Sequence, residues 1–186
     1  MTDWEGSTAL IVIDVQRGFD DEEYWGQRNN PACEANIVRL ISAWREKGWP
    51  VVFVKHNSAT PESPLALGSI GNELKPMIVG EPDLLVEKQV HSAFYGEPDL
   101  KTWLDSHGIR GVAVAGIQTN MCCETTARMA SDLGYRLQFI EDATHTFDLV
   151  DDAGTVFTAE DIAKHTTLTI AADFGRVVST SQLAGG

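Results

Sequence analysis

Apolar residues along the chain fall into short continuous runs, separated by segments with helical periodicity. A short apolar run bounded by polar residues is typical of a strand that is buried on both faces of a sheet. Such runs predict strands at residues 8–15, 51–56, 84–88 and 111–117. Two later segments predict further strands, YRLQFIEDA from residue 135 and RVVST at 176–180.

Segments with helical spacing lie between the predicted strands. Between Pro31 and Gly48 the apolar residues recur at the intervals of a helix face, and Gly48 marks its end. Similar signals predict helices at 98–108, from about 121 to 133, and at 157–171. Residues 57–80 contain Pro and Gly at intervals and predict a long surface loop.

The alternation of strands and helices predicts an α/β fold with a mainly parallel six-stranded sheet flanked by helices. No repeat or linker divides the 186 residues, so we expect one domain over residues 1–186. In such sheets ligands bind beyond the carboxyl ends of the strands. The residues that follow those ends are therefore the first candidates for a functional site.

Composition narrows the possible partners. The formal net charge of -13 disfavours nucleic acid and anionic membrane surfaces as partners, and the catalytic chemistry described below predicts a small-molecule substrate. The N-terminal segment MTDWEGSTALIVIDVQ lacks a basic region and a cleavage site, so no signal peptide is predicted. The odd set of cysteines, Cys33, Cys122 and Cys123, suits a reducing compartment. We therefore expect a cytoplasmic protein.

Three chemically distinct residues follow three predicted strands. Asp14 ends the first strand, Lys88 ends the third, and Cys122 follows the fourth after a short turn. Each residue alone has an ordinary structural explanation, as a turn residue, a solvated lysine or a buried thiol. Because parallel strands end at one edge of the sheet, all three side chains are expected to meet there. This convergence indicates a catalytic site.

A cysteine nucleophile needs activation, because a free thiol has a pKa of about 8.5. Cys122 is expected in the first turn of its helix, with Thr119 or Asn120 as N-cap, where backbone amides favour a thiolate. Asp14 would take the thiol proton and Lys88 would pair with Asp14. Cys123 points about 100° away from Cys122 on a helix, and spacing alone leaves it as an alternative nucleophile.

The marker segments IDVQRGF, EKQVHSAF, GIQTNMCCETTAR and DLGY resemble those of the isochorismatase-like cysteine hydrolase superfamily over residues 8–178. The resemblance implies a flavodoxin-like three-layer α/β/α domain that hydrolyses C–N bonds through a thioester. It implies Asp14 as general base, Lys88 as its partner and Cys122 as nucleophile. It also implies a cis peptide after Ile117 that presents the amides of Gln118 and Cys122 to an oxyanion. Members of this type commonly form homodimers or higher homo-oligomers.

The chain departs from the family pattern at two places. Metal-dependent members carry an Asp-x-His motif after the second strand, whereas here Lys55 and Asn57 flank a single His56, so no metal or other cofactor is expected. Position 123 usually holds an apolar β-branched residue, and here it holds a cysteine. Members that cleave a vinyl ether usually lack the nucleophilic cysteine, so Cys122 favours cleavage of a C–N bond.

Several residues near the strand ends are candidates for substrate binding. We expect Gln16 to bond the strand-end backbone or orient Asp14, and His145 to lie at the rim. The candidate pocket residues are Gln16, Phe19, Trp25, His56 and Phe94.

The sequence therefore predicts a metal-independent cysteine hydrolase that cleaves an amide, carbamoyl or lactam-like bond. One alternative is an isochorismate-type vinyl-ether hydrolase on the same fold. Another is a thiol redox sensor or a binding protein without catalysis, in which the adjacent cysteines would react with oxidants. The sequence leaves the substrate open, because loops determine specificity.

Overall fold

The computed structural model describes residues 8–185. The first seven residues of the segment MTDWEGSTALIVIDVQ, in which no signal peptide is predicted, and the expected domain ends at residues 1 and 186 lie outside the described residues. Within residues 8–185, every helix falls short of the length and apolar character that a membrane crossing requires.

A parallel sheet of six strands, in the order β3-β2-β1-β4-β5-β8, forms the centre of the molecule. This arrangement confirms the predicted fold class. The strands of the sheet are β1 (Thr8–Ile13), β2 (Val51–His56), β3 (Leu84–Lys88), β4 (Gly111–Ile117), β5 (Arg136–His145) and β8 (Arg176–Val178). A separate antiparallel pair consists of β6 (Leu149–Val150) and β7 (Val156–Phe157).

The central strands are apolar throughout because both faces of the sheet are covered. In β1, Ile11 and Ile13 belong to one apolar cluster, whereas Leu10 and Val12 belong to the cluster on the opposite face. Side chains alternate between faces along a strand, so a strand covered on both sides needs an unbroken apolar run.

Helices pack on both faces of the sheet and give three layers. The helix α2 supplies the apolar residues of one face, including the buried Trp44, while α3 and α4 cover the other. The helices are α1 (Glu22–Trp25), α2 (Cys33–Glu46), α3 (Leu100–Ser106), α4 (Glu124–Asp132), α5 (Ala159–Thr169) and α6 (Thr180–Ala184).

The ends of the last two predicted elements differ from the structure. The predicted helix at 157–171 begins at Ala159, because the Thr158 side chain caps it and Phe157 pairs in the β6–β7 hairpin. The predicted strand at 176–180 ends at Val178, because Ser179 forms a capping box that starts α6. Local capping interactions set both boundaries.

The turn before α4 also corrects an expectation. A π-helical turn spans Thr119–Cys123, and its N-cap position is occupied by Gln118, which makes no side-chain cap. Thr119 instead donates a hydrogen bond to Thr144, and Asn120 accepts one from Thr146. Neither Thr119 nor Asn120 caps the helix. Their side chains bond instead to Thr144, near the end of β5, and to Thr146, which follows that strand.

Gly116 allows β4 to approach β1 closely at the functional edge of the sheet. Its φ of 137° lies in a region that favours glycine. A Cβ atom there would lie 2.0 Å from the carbonyl oxygen of Ile13, the last residue of β1. The close approach brings the segment after β1 next to the segment after β4.

Candidate active site

The strand order reverses between β1 and β4, so the crevice at their carboxyl ends is the expected place for a ligand. Asp14 follows β1 directly, and Gln118 and Cys122 follow β4. The neighbouring strands β2 and β3 end in His56 and Lys88. The fold thus brings five polar side chains from four strand ends to one edge.

Lys88 links the two other residues of the predicted triad. Its Nζ atom lies 2.6 Å from Oδ2 of Asp14 and 3.3 Å from Sγ of Cys122. The side chains of Lys88 and Asp14 are both fully buried, and Cys122 is 7% exposed. Acid, ammonium and thiol therefore lie within direct contact distance, although they come from distant parts of the chain.

The ammonium form of Lys88 is stabilised within this group. Burial lowers the pKa of Lys88, but the neighbouring Asp14 and Cys122 raise it by more, so the net shift is upward. Lys88 is therefore charged and pairs with the Asp14 carboxylate. The second carboxylate oxygen of Asp14, Oδ1, is buried and has no hydrogen-bond partner among the described residues. This oxygen is free to accept a proton.

Asp14 has a φ of 52°, in the left-handed region that few residues other than glycine adopt. Aspartate tolerates this conformation better than most residues. Such backbone geometry persists where the surroundings fix it, and it is enriched at functional sites. The turn directs the carboxylate of Asp14 toward Lys88.

The surroundings of Cys122 raise the pKa of its thiol, which opposes the effect expected from the helix amides. Burial raises its pKa, the Asp14 carboxylate raises it further, and Lys88 offsets only part of the shift. Activation of this thiol therefore requires transfer of its proton to a base. The carboxylate of Asp14 is within reach of the Cys122 thiol and can accept this proton.

Cys123 lies on the other side of the helical turn, in the apolar core. It has no exposed surface, and burial raises its pKa well above the usual range. By contrast, Cys122 lines the cavity described below. Of the two adjacent cysteines, only Cys122 faces both a cavity and the Asp14–Lys88 pair.

The peptide bond between Ile117 and Gln118 is cis, as the family resemblance implies. Gln118 and Cys122 both line the cavity, on the segment that follows this bond. Their backbone amides are thus carried by residues that border the space where a substrate carbonyl would lie.

His56, the last residue of β2, adds an imidazole to the polar side chains at this edge of the sheet. Its Nδ1 atom lies 3.3 Å from Nζ of Lys88. Because an ammonium group only donates hydrogen bonds, Nδ1 accepts, and the remaining proton of the ring is on Nε2. Burial and the charge of Lys88 lower the pKa of His56, so the imidazole is neutral.

A cavity of about 240 Å³ opens beside Cys122. The predicted pocket residues Phe19, Trp25 and His56 contribute to its wall. Sequence reasoning missed three lining residues, Leu65, His91 and Met121, of which only His91 and Met121 lie inside the marker segments. The complete lining is Asp14, Phe19, Trp25, His56, Leu65, His91, Gln118, Met121 and Cys122.

Three candidate residues do not line the described cavity. Gln16 is fully buried and bonds the backbone of His56 and Asn72, which confirms the expected contact with the strand-end backbone but keeps Gln16 out of the cavity wall. Phe94 packs in the core against Tyr135, with ring centroids 5.9 Å apart, and does not form a wall of that cavity. His145 is the last residue of β5 and has no exposed surface, so it lies beneath the rim.

Asp14, His56 and Cys122 offer donor atoms that lie within 4.8 Å of one another, a spacing that could hold a metal ion. The Nζ atom of Lys88 contacts all three side chains, at 2.6 to 3.3 Å. The ammonium group therefore occupies the position and supplies the positive charge that a bound cation would supply.

The acid, the ammonium and the thiol at the switch point of this doubly wound α/β fold are the groups that hydrolysis by a cysteine nucleophile needs. The sequence profile of the isochorismatase domain matches residues 8–181. The chain belongs to the isochorismatase family and is a hydrolase of that family.

Two relatives illustrate the similarity in sequence. An uncharacterised isochorismatase family protein, YrdC of Bacillus subtilis, is 37% identical over 183 residues, covering 96% of this chain and 95% of the relative. Nicotinamidase 3 of Arabidopsis thaliana is 35% identical over 155 residues, covering 75% of this chain and 74% of the relative.

Solved structures show the same architecture. An isochorismatase-family protein from Chromobacterium violaceum superimposes with a TM-score of 0.91 at 31% identity, covering 100% of this chain and 96% of that one. A cysteine hydrolase from Pseudomonas syringae superimposes with a TM-score of 0.85 at 26% identity, covering 96% and 91% of the two chains.

Proposed function

We propose that the protein cleaves a C–N bond of a small amide, carbamoyl compound or lactam through a thioester on Cys122, without a metal ion. The observation that carries this proposal is the contact of Lys88 Nζ with both Asp14 Oδ2 and Cys122 Sγ, at 2.6 and 3.3 Å. This group contains a nucleophile, a base and a fixed positive charge beside a cavity.

In the first half of the reaction, Asp14 takes the proton of the Cys122 thiol through the free Oδ1 atom. The sulfur then forms a bond to the carbonyl carbon, and the carbonyl oxygen becomes an oxyanion. Because the pKa of the Cys122 thiol is raised, a thiolate does not accumulate before the attack. The proton leaves the sulfur as the sulfur forms its bond to the carbonyl carbon.

The oxyanion lies against the backbone amides of Gln118 and Cys122, which supply hydrogen bonds in the transition state. The C–N bond then breaks, and the leaving nitrogen takes the proton from Asp14. The products of this half are an amine or ammonia and a thioester on Cys122.

In the second half, a water molecule gives a proton to Asp14 and its oxygen attacks the thioester carbonyl. The C–S bond breaks, the acid is released, and the sulfur regains its proton from Asp14. Lys88 transfers no proton in either half of the reaction, and it pairs as an ammonium ion with the Asp14 carboxylate at the start and at the end of the cycle.

Two of the comparisons support this reaction class. One relative is a nicotinamidase, which is an amide hydrolase by name, and one structural neighbour is a cysteine hydrolase. A redox-sensor role is less well supported, because sensor thiols are exposed and of low pKa, whereas Cys122 is buried with a raised pKa. Vinyl-ether cleavage would make no use of the Cys122 thiol.

The test is mass spectrometry of intact protein, acid-quenched during turnover of a panel that contains acetamide, benzamide, fumaramide and nicotinamide. We expect an acyl adduct on Cys122. The variant Cys122→Ala should lose both the adduct and at least about 10³-fold in rate, as expected when a nucleophile is removed.

The matched control is Cys123→Ala, which removes the neighbouring thiol from the core and should keep the adduct and most of the turnover. An adduct confined to Cys123 would contradict the assignment of the nucleophile. Full activity of Cys122→Ala would contradict the thioester mechanism itself.

A further inference from the structure

We infer that the cavity beside Cys122 selects small, uncharged, planar amides and rejects amides that carry a carboxylate. The inference rests on the proposed function and specifies its substrate class. It is carried by the charges and shapes of the side chains that line and surround the cavity.

The cavity lining contains no arginine or lysine among residues 8–185. The nearest ammonium, on Lys88, has no exposed side-chain surface and is engaged by Asp14, His56 and Cys122. Its charge is therefore already compensated by Asp14. The cavity lining, as far as residues 8–185 form it, therefore presents no lysine or arginine to a carboxylate group on a substrate.

Two further cations, Arg28 and Lys75, are engaged in ion pairs. Arg28 makes a bidentate ion pair with Glu34, with both N–O distances at 2.9 Å. The Nζ atom of Lys75 lies 2.6 Å from Asp20 and 2.7 Å from Glu34. To bind a substrate carboxylate, either cation would have to give up its contact with Glu34, whose side chain is 12% exposed.

An anionic substrate would meet a further penalty from desolvation. Lys88 and Asp14 compensate each other, so a carboxylate that enters the cavity loses its hydration without gaining a cationic partner in the lining. The formal net charge of -13 also opposes the approach of anions over longer distances. The lack of a lining cation, the cost of desolvation and the net negative charge all disfavour a substrate that carries a carboxylate.

Shape adds the second part of the selection. The volume of about 240 Å³ is below the range of roughly 300–1,000 Å³ that is usual for pockets of drug-sized ligands. Phe19 and Trp25 form one wall, with ring centroids 4.9 Å apart and the planes tilted by 34°. A flat conjugated acyl group can stack on such a wall, whereas a puckered saturated chain gains less contact.

The polar groups that remain suit an uncharged partner. His56 is neutral, and Gln118 is an amide that offers both a donor and an acceptor. His91, which is exposed at the cavity mouth, is three residues beyond Lys88. These groups can bond an uncharged carbonyl or amide without forming an ion pair.

The experiment compares kcat/KM within two pairs of amides, in each of which one carbamoyl group is replaced by a carboxylate of nearly the same size. The pairs are fumaramide with fumaramate, and terephthalamide with 4-carbamoylbenzoate. We expect the uncharged member to be favoured by at least about tenfold, because an unpaired carboxylate is costly to bury. Succinamide, the saturated counterpart of fumaramide, should also react more slowly than fumaramide.

Two variants of one exposed residue sharpen the test. His91→Arg adds a cation at the cavity mouth and should reduce the preference for the uncharged member by several-fold. His91→Gln has no charge and should leave that preference unchanged. Both changes are at a surface position, so loss of folding does not confuse the comparison.

The outcomes separate this inference from the proposed function. A Cys122 adduct formed faster from the carboxylate-bearing amides, or from such amides only, overturns the charge selection while the reaction class stands. Equal rates for succinamide and fumaramide overturn the selection for planarity. Absence of any Cys122 adduct across the whole panel overturns the proposed function, and this inference with it.

Discussion

The Nζ atom of Lys88 lies 2.6 Å from Oδ2 of Asp14, and neither side chain is exposed to solvent. The two residues are 74 positions apart in the chain and end strands β1 and β3, which are separated in the sheet by β2. Two charges buried in this way stabilise each other only while both are present. The ion pair is therefore a structural as well as a chemical element.

Removal of one partner of this pair should be costly. We expect Lys88→Met to lower the free energy of unfolding by about 3–5 kcal/mol, because it leaves the Asp14 carboxylate buried without a counter-charge. The double variant Asp14→Asn/Lys88→Met should recover part of that loss while remaining inactive. Urea denaturation and turnover measure the two effects, and equal losses in the single and double variants would contradict the pairing.

Lys88 should also determine whether the site binds metal. Activity should persist after treatment with EDTA, because the ammonium group occupies the position between Asp14, His56 and Cys122. Lys88→Ala should gain one tightly bound Zn²⁺, since carboxylate, imidazole and thiolate are ligands that zinc prefers. Metal analysis after dialysis tests both statements. Loss of wild-type activity in EDTA, restored by Zn²⁺, would contradict them.

His145 should make the protein less stable in mild acid. Burial lowers its pKa from 6.5 to about 3, and the nearby charge of Arg28 contributes to the shift. Below pH 6.5 the unfolded chain takes up a proton that the folded chain does not, so the free energy of unfolding falls as pH falls. The slope from this group approaches about 1.4 kcal/mol per pH unit between its two pKa values.

The control for this prediction is His145→Asn, which removes the titrating ring. Both ring nitrogens of His145 lack hydrogen-bond partners among the described residues, so the replacement breaks no such bond. Between about pH 6 and 5, below the His145 reference value and above that of carboxyl groups, unfolding of the variant should depend less on pH. If the free energy of unfolding depends on pH to the same extent in both proteins, a group other than His145 is responsible for the pH dependence.

Gly116 should tolerate no side chain. In Gly116→Ala the new Cβ would lie 2.0 Å from the Ile13 carbonyl oxygen, so β1 and β4 would have to separate at the active edge. We expect a loss of more than about 4 kcal/mol in stability, or failure to fold. Gly134→Ala is the matched control.

Gly134 also has a positive φ, of 88°, but nothing lies within 4 Å of its missing Cβ. Its replacement should therefore cost only the backbone strain, about 1–2 kcal/mol. Thermal unfolding of the two variants makes the comparison. Equal losses of stability in the two variants would show that the contact between β1 and β4 adds no cost beyond the positive φ at Gly116.

Local patterns in the sequence determined the order of strands and helices in the central sheet. An unbroken apolar run such as β1 arises because two covered faces demand it, and periodicity of this kind is readable without coordinates. The rule that parallel strands end at one edge then brought Asp14, Lys88 and Cys122 to the same place. Their contacts in the structure follow that rule.

Only the tertiary structure decided which other residues surround the site and how the thiol behaves. Leu65 lies in a loop without periodicity, and Phe94 packs in the core against Tyr135 instead of lining the cavity. The raised pKa of Cys122 depends on burial by residues far away in the chain. Periodicity acts over a few neighbouring residues, whereas burial and electrostatics depend on everything that packs nearby, so the sequence alone could not supply them.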